Sequence, residues 1–458
     1  MNTRMMQQKH WPHWLLWVST ALGVVWPLMH SVALRNSLLG ILLLATLYLC
    51  RRPKLPPLPP HLQGALKIYL TLSAWLLATT LLADDPRNAL DQYRGEWLIA
   101  SLAMVAGLLL TRLAINGKLN GLNNRYLLTS LTLSLAIPCL LQIGYSLLIL
   151  AKTHSLPIWD VPFFGRTSLS LVHNLLYGML LADALSRSSG RARLLPLSTA
   201  WLMIAFAASF YCTYLLNTRN GTICVLLMTI FAALLAWYQH RDKIRNSLAI
   251  GIACLLLLAM GGFARLAYQA EYRWAAFGES TRIAWDTEHH KAWLDDRIPL
   301  PLMSNGQPVD HSAYMRLAWF KEGALAIMAN PLGVGFGRNA YGHAMKRKYG
   351  IGSGHSHSSL IDFTLSGGIP GLLLWLAFSA YLLRLGWRTY FYHGDVVGMA
   401  LLLLITGTLL RMVIDSNLRD HGLEQYLFLL ALLTTMAADA LNRSPTHTPG
   451  SLKQHAAH

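Results

Sequence analysis

Charge is scarce in this chain of 458 residues: Asp, Glu, Lys and Arg make up 13%, against 54% for the hydrophobic types, roughly half the charged share of an ordinary soluble domain. That composition excludes a soluble globular enzyme. Acids are scarcer still, 21 against 38 Lys and Arg, for a formal charge of +17, and the middles of the apolar runs are nearly free of them. Their absence disfavours a transporter, in which ionisable groups near mid-depth carry the coupling chemistry. The cations form no stripe and no RNP-like motif, which argues against nucleic acid as a partner. Scattered between apolar runs, they fit a bilayer with basic cytoplasmic loops. Cysteine is limited to Cys50, Cys139, Cys212, Cys224 and Cys254, an odd number inside apolar runs, so no disulfide framework is read from them. A cleavable signal peptide is not needed, because the first apolar run simply begins a series. Tight His and carboxylate spacings of the metal-site kind are missing too.

What is present is a succession of apolar runs. A span needs about 20 mostly apolar residues, and twelve candidates stand near 14 to 33, 36 to 50, 65 to 83, 96 to 115, 126 to 150, 168 to 186, 197 to 216, 221 to 239, 247 to 267, 369 to 387, 394 to 412 and 424 to 441. The fold class expected is an all-α polytopic membrane protein. Lys and Arg near span ends are retained inside, and alternate loops carry Arg51, Arg52 and Lys54, then Arg112, Lys118 and Arg125, then Arg187, Arg191 and Arg193, then Arg241, Lys243 and Arg245, then Arg384 and Arg388. The intervening loops hold Asp84, Asp85, Asp91, Asp160, Asp415, Asp420 and Glu424 with fewer cations, and read as outside. This gives an N-terminal transmembrane bundle over 1–267 with about nine spans, a long outer loop over 268–368, transmembrane helices over 369–441 and a tail over 442–458. Both termini then lie in the cytoplasm.

Loops as long as 268–368 are uncommon unless functional. In this one Ser312 precedes AYMRLAWFKEGALAIMAN, where Leu317, Phe320, Ala324 and Ile327 share a face and Pro331 marks the stop. The pattern predicts an amphipathic helix lying over the bundle. Gly333, Gly335 and Gly337 follow in alternation, as a plain turn or a close approach to a ligand. Next comes GSGHSHSSLIDFTLSGGIPG, in which Ser359 and Asp362 have capping-box spacing, so His357 stands just before a helix start. Helix N-termini favour anions and disfavour imidazolium. A neutral His there can take a proton from a hydroxyl, although His355 and His357 also read as ordinary surface loop histidines.

Three arginines outside the cytoplasmic loops stand out: Arg219 in LLNTRNGTICVLL, Arg316 on the amphipathic run, and Arg166 in FFGRTSLSLVHN. Arginine beside hydrocarbon is costly unless it snorkels or is paired, and its planar fork suits phosphate better than Lys does. Three outward arginines and a histidine fit an anionic lipid headgroup.

At this point the residues resemble a known family, the bacterial O-antigen ligases, within the wider group of O-antigen polymerases and protein O-oligosaccharyltransferases. His357-Ser358, nine residues, then Gly368-Ile369-Pro370-Gly371 matches the family's H-[N/S/Q]-x9-G-x-x-[G/T/Y] pattern, which makes His357 the motif histidine and leaves His355 out of register. TRNGTICVLL is similar to the family's S-R-G-x-W-L segment around Arg219, with Asn220 intervening before Gly221. RLAWFKEGALAIMANPLGVGF, from Arg316 to Phe336, is similar to a family block whose Arg-led helix ends in P-L-G-x-G.

The resemblance implies a GT-C-like glycosyltransferase in the bacterial inner membrane with its active site facing the periplasm. It implies O-polysaccharide on undecaprenyl pyrophosphate as donor, lipid A-core as acceptor, and no metal, ATP or other cofactor. His357 would be the catalytic base, with Arg219, Arg316 and, more weakly, Arg166 on the diphosphate. A polymerase shares this plan, whereas protein oligosaccharyltransferases usually carry a longer C-terminal region, which favours a ligase. A metal-dependent alternative rests on Asp84-Asp85 and on Glu288, His289, His290, Asp295 and Asp296 as ligands of a hard cation, against which stands a solvated acidic loop that caps helices.

Overall fold

The computed structural model describes residues 11–51, 55–116, 124–158, 160–241, 277–352 and 354–443. Among these, every regular element is helical, and extended pairing is confined to two isolated bridges, Leu28 with Phe164 and Leu302 with Pro308. In chain order the helices are α1 (Trp11–Val25), α2 (Val32–Cys50), α3 (Pro60–Leu81), α4 (Pro86–Gln92), α5 (Ile99–Ile115), α6 (Asn124–Thr153), α7 (Arg166–Ser188), α8 (Thr199–Leu216), α9 (Arg219–His240), α10 (Phe277–Trp285), α11 (His311–Ala329), α12 (Ala340–Tyr349), α13 (Ser359–Trp387), α14 (Val397–Ile414) and α15 (Asp420–Asn442). A π-helical turn, Tyr93–Leu98, joins α4 to α5, and another, Arg388–Tyr392, ends α13.

Among the described residues nine helices are long and apolar enough to cross a bilayer: α2, α3, the continuous Pro86–Ile115, α6 to α9, Ser359–Tyr392, and α14. Two expected spans differ in extent. The first apolar run breaks early, with α1 ending at Val25 and α2 starting at Val32, because Pro27 lacks a donor and restricts Trp26, and the Ser31 hydroxyl bonds back to Val25 and Leu28. The span expected at 369–387 is part of a helix that begins at Ser359 and is broken, not started, at Gly368 (φ 69°, ψ 179°). The span expected at 247–267 lies outside the described residues.

The core is built around α7, α14 and α15, which are buried on nearly every side, as helices apolar all round must be. Small residues set the close crossings. A Cβ on Gly107 of α5 would sit 2.6 Å from the Phe428 carbonyl of α15, the kind of backbone approach that membrane helix pairs use.

Residues 277–352 carry a second, smaller core in which Trp293, Tyr314, Met315, Tyr341 and Met345 pack against Ile361 and Leu365 of α13. Helix α11 starts earlier than Ser312, because Asp310 is its cap and accepts from the Ala313 amide at 2.8 Å. Its buried stripe is Tyr314, Ala318, Glu322 and Ala326, and the expected face of Leu317, Phe320, Ala324 and Ile327 is only half buried. The reason is the close approach of α11 to α13, where a Cβ on Gly323 would strike Ile361, together with α10, which covers another side of the helix.

Candidate functional site

Helix α13 supplies the site's first element. Ser358 is its N-cap, without a side-chain cap bond, so the expected Ser359/Asp362 box does not form. Asp362 Oδ1 instead accepts from the Ser356 amide (2.9 Å) and hydroxyl (2.7 Å), while Ser359 Oγ accepts from the Leu418 amide at 2.8 Å. The knot holds His357 just ahead of the helix in the left-handed region, φ 58°. Non-glycine residues adopt that region at a cost and chiefly where surrounding contacts enforce it. Here the enforcing contacts are the His357 amide, which donates to His355 Nδ1 at 3.2 Å, and Trp319 of α11, whose ring stacks on the His357 ring at 5.2 Å and 13°.

Both imidazoles are kept neutral. Burial, and then the nearby Arg316 guanidinium, pull His357 down to about 4, while burial, His357 and Arg419 pull His355 down to about 3. A helix N-terminus works in the same direction.

Beside the histidines opens a cavity of about 250 Å³, lined among others by His355, His357, Arg338, Arg411, Asp415 and Arg419. Arg411 is fully committed. Its Nε and Nη2 reach Asp415 Oδ2 at 3.0 and 2.7 Å, Nη1 donates to Ser170 Oγ at 3.2 Å and to Asn174, and Nη2 also donates to the Thr167 carbonyl at 3.2 Å. Arg338 and Arg419 are less engaged, sharing Asp420 at 3.2 and 3.3 Å. The cavity can therefore receive an anion beside a neutral imidazole, a combination suited to acid–base chemistry on a phosphorylated ligand.

The three arginines singled out in the sequence do not line this cavity; they meet one layer behind it, at the turn between α8 and α9. Arg166 Nη2 donates to the Asn217 carbonyl at 2.8 Å, and Asn217 takes the left-handed conformation that closes the turn. Arg219 opens α9 and makes a two-pronged pair with Asp310, Nη1–Oδ1 3.0 Å and Nη2–Oδ2 3.1 Å. Arg316 Nη1 donates to Asn220 Oδ1 at 2.6 Å, so the residue intervening in the S-R-G-like segment is what ties Arg316 to this turn. Thr218 and Ser170 bond through their hydroxyls at 2.8 Å, and Ser170 holds Arg411, which links the turn to the cavity wall.

Arg338, Arg411, Asp415 and Arg419 were not singled out in the sequence as site residues. Arg411 had a readable signal, an arginine at the end of an apolar run with an acid four residues on; Arg338 and Arg419 had none. Of the residues considered for a cation, Asp84 pairs with Arg347, Asp85 caps α4 through the Asn88 amide (3.1 Å), His289 pairs with Asp286 (2.8 Å) and Asp295 holds Arg297 (2.8 Å). Among the described residues no three His, Cys, Asp or Glu side chains converge.

Compared with known families, residues 204–376 match the family model described as O-antigen ligase. The match spans fewer than half of the chain's residues and makes this segment similar to that family. The matched segment contains Arg219, Arg316, His357, Gly368 and Gly371, and leaves out Arg166, Arg411 and Arg419. No curated protein matches the chain.

Proposed function

We propose that the chain belongs to the O-antigen ligase superfamily and is a ligase, an inverting glycosyltransferase that moves O-polysaccharide from undecaprenyl pyrophosphate to a sugar hydroxyl of lipid A-core. The observation that carries the reading is a neutral His357 at the edge of a cavity walled by Arg338 and Arg419. In the proposed step the acceptor O–H gives its proton to His357 and its oxygen attacks the anomeric carbon. The C–O bond to the diphosphate breaks on the opposite face, its electron pair leaving with the phosphate oxygen. The donor carries the driving force, so the reaction calls for neither nucleotide hydrolysis nor a metal.

Arginines would take up the charge that grows on the leaving oxygen, an interaction stronger in the transition state than in the ground state. Arg316, close enough to act on the His357 proton, would serve the diphosphate from behind the histidine. Arg219 would hold Asp310 and thereby the start of α11, and Arg166 would hold the turn that presents Arg219. The diphosphate would itself raise the basicity of His357, since an adjacent anion favours imidazolium. In this reading the site faces the periplasm and both termini face the cytoplasm.

Complementation of a ligase-null Gram-negative strain tests the reading. Laddered lipopolysaccharide is expected with the intact gene, and long chains accumulating on the undecaprenyl carrier without it. Rescue of a polymerase-null strain instead, which otherwise attaches a single repeat to core, would reassign the protein as a polymerase.

A further inference from the structure

Behind the cavity wall lies a second void of about 20 Å³, lined among others by Glu96, Gly337, Arg338, Asp362 and Arg419, room for about one water molecule. Arg338 and Arg419 line both spaces. Both arginines therefore border the cavity, which also holds Asp415 and Asp420, and the void, which holds Glu96 and Asp362.

Glu96 is the uncommitted carboxylate of this group. It is 8% exposed, and among the described residues its carboxylate takes part in no hydrogen bond or salt bridge. Asp362, by contrast, already accepts from Ser356 and Ser416. The π-helical turn Tyr93–Leu98 carries Glu96, and such turns insert one residue into a helix and re-aim the side chains around it. Its neighbours fix the turn: Trp97 Nε1 donates to Ser73 Oγ at 3.0 Å, the Tyr93 hydroxyl donates to the Ser73 carbonyl at 3.2 Å, and both rings meet the Phe336 ring edge to face. Opposite, Arg419 Nε and Nη1 are buried without a hydrogen-bond partner, and Asp420 is divided between Arg338 and Arg419.

We propose that Glu96 is a positioning residue that acts through Arg338 and Arg419, its negative charge holding their affinity for a diphosphate low enough for the product to leave. The need for such a device follows from the chemistry. A donor diphosphate is a diester, whereas the released lipid diphosphate is a monoester with a further ionisation near pH 6, so the product is the more anionic species and would be the better ligand of the arginines. A fixed charge one layer behind the guanidiniums opposes both, and the product more.

The proposal rests on the glycosyl-transfer reading for its turnover arm only. Inorganic pyrophosphate is titrated by calorimetry into the full-length protein in detergent at pH 8.5, so that the Glu96 carboxyl is in its charged form. Glu96→Gln is expected to bind it about three- to tenfold more tightly than the unaltered protein, the size of one screened charge at this remove, and the gain should vanish when Arg338→Gln and Arg419→Gln are added. In turnover, Glu96→Gln should lower kcat without raising the donor KM, a split that general loosening of the fold would not give. Equal or weaker pyrophosphate binding by Glu96→Gln, or a gain that survives loss of both arginines, overturns the proposal. Should Glu96→Gln not be recovered folded, Glu96→Asp decides: its shorter carboxylate recedes from the arginines and should tighten binding by a smaller factor, and no tightening overturns the proposal. Failure of the ligase reading would show separately, as absence of turnover by the unaltered protein.

Discussion

Trp319 lies flat against His357, ring centroids 5.2 Å apart and planes within 13°, and three residues earlier on the same helix Arg316 bonds Asn220. One helix thus shields the imidazole and also brings up the cation that keeps it unprotonated. For His357 the consequence is a base that waits neutral, at about 4, until an anion arrives. Neutral imidazole is the active form, so activity is present above the pKa and lost as pH falls through it. The acid limb of kcat/KM, which reports the free enzyme, is expected near pH 4, and that of kcat, which reports the donor complex, at higher pH. His357→Ala should lower the rate by about a hundredfold to ten-thousandfold. His355→Ala, which removes an acceptor of the His357 amide, should be mild. His357→Gln separates the roles: a rate close to that of Ala supports the base, and a rate near the unaltered enzyme's makes His357 a diphosphate donor.

The Arg219 fork predicts a coupling. Both of its prongs rest on Asp310, which also caps α11, so Arg219→Lys is expected to cost more than about tenfold in kcat/KM, or about 1.4 kcal/mol, because Lys cannot reproduce a two-pronged contact. Asp310→Asn should cost a similar factor. The double variant should be little worse than either single one, since residues acting as one unit are not additive. Additive losses would mean that Arg219 meets the diphosphate on its own. Arg316→Lys is expected to lose more than about tenfold as well, and near-normal rates for both Lys variants would make them membrane anchors.

Much of this arrangement was legible as pattern. Apolar length and loop charge marked the helices, and the register of His357 with Gly368 and Gly371 marked the α13 start. What was not legible came from tertiary pairing. Arg419 looks like any loop arginine until α15 and α13 bring it beside Asp362, and Glu96 looks like a span-edge acid until the fold places it on the same small void as Arg338 and Arg419. The face of α11 was misjudged because side-chain size suggested Leu317 and Phe320 inward, whereas Gly323 and Ala318 let α13 approach on another side. The helix cap fell on Asp310 and not Ser312 because a carboxylate shared with Arg219 holds the backbone two residues earlier.

Orientation gives a third prediction. Ala192 lies in the α7–α8 loop beside Arg191, whose guanidinium covers the Tyr390 ring at 3.9 Å, at the end of the bundle opposite the cavity. Asn305 is exposed in the segment between α10 and α11. With the native cysteines replaced, Asn305→Cys should react with a membrane-impermeant maleimide in intact spheroplasts, and Ala192→Cys only after lysis. The reverse pattern would turn the site toward the cytoplasm and overturn the proposed orientation.

The two glycines of the His357 motif should behave differently. Gly368 sits at φ 69°, ψ 179°, a region essentially reserved for glycine, and a Cβ there would strike the Leu332 backbone. The contact is reciprocal, because a Cβ on Gly333 would come 2.6 Å from the Gly368 nitrogen. The turn that crowds Gly368 also satisfies the backbone groups its break exposes: the Ile369 amide donates to the Pro331 carbonyl and the Val334 amide to the Leu365 carbonyl, both at 2.8 Å. Gly368→Ala must therefore strain the backbone, at about 1–3 kcal/mol, and push away the turn that completes the helix. Gly371 has helical geometry, and an added Cβ meets the Trp75 ring at 3.4 Å and Leu76 Cδ2 at 3.7 Å, near ordinary contact, while Ala in a helix gains about 0.5–1 kcal/mol over Gly. Thermal unfolding in detergent should show Gly368→Ala and Gly333→Ala clearly destabilised and Gly371→Ala close to the unaltered protein. Equal stability of Gly368→Ala and Gly371→Ala would mean that the break in α13 is not held by the 331–335 turn, and His357 would lose the support that this turn gives to its helix.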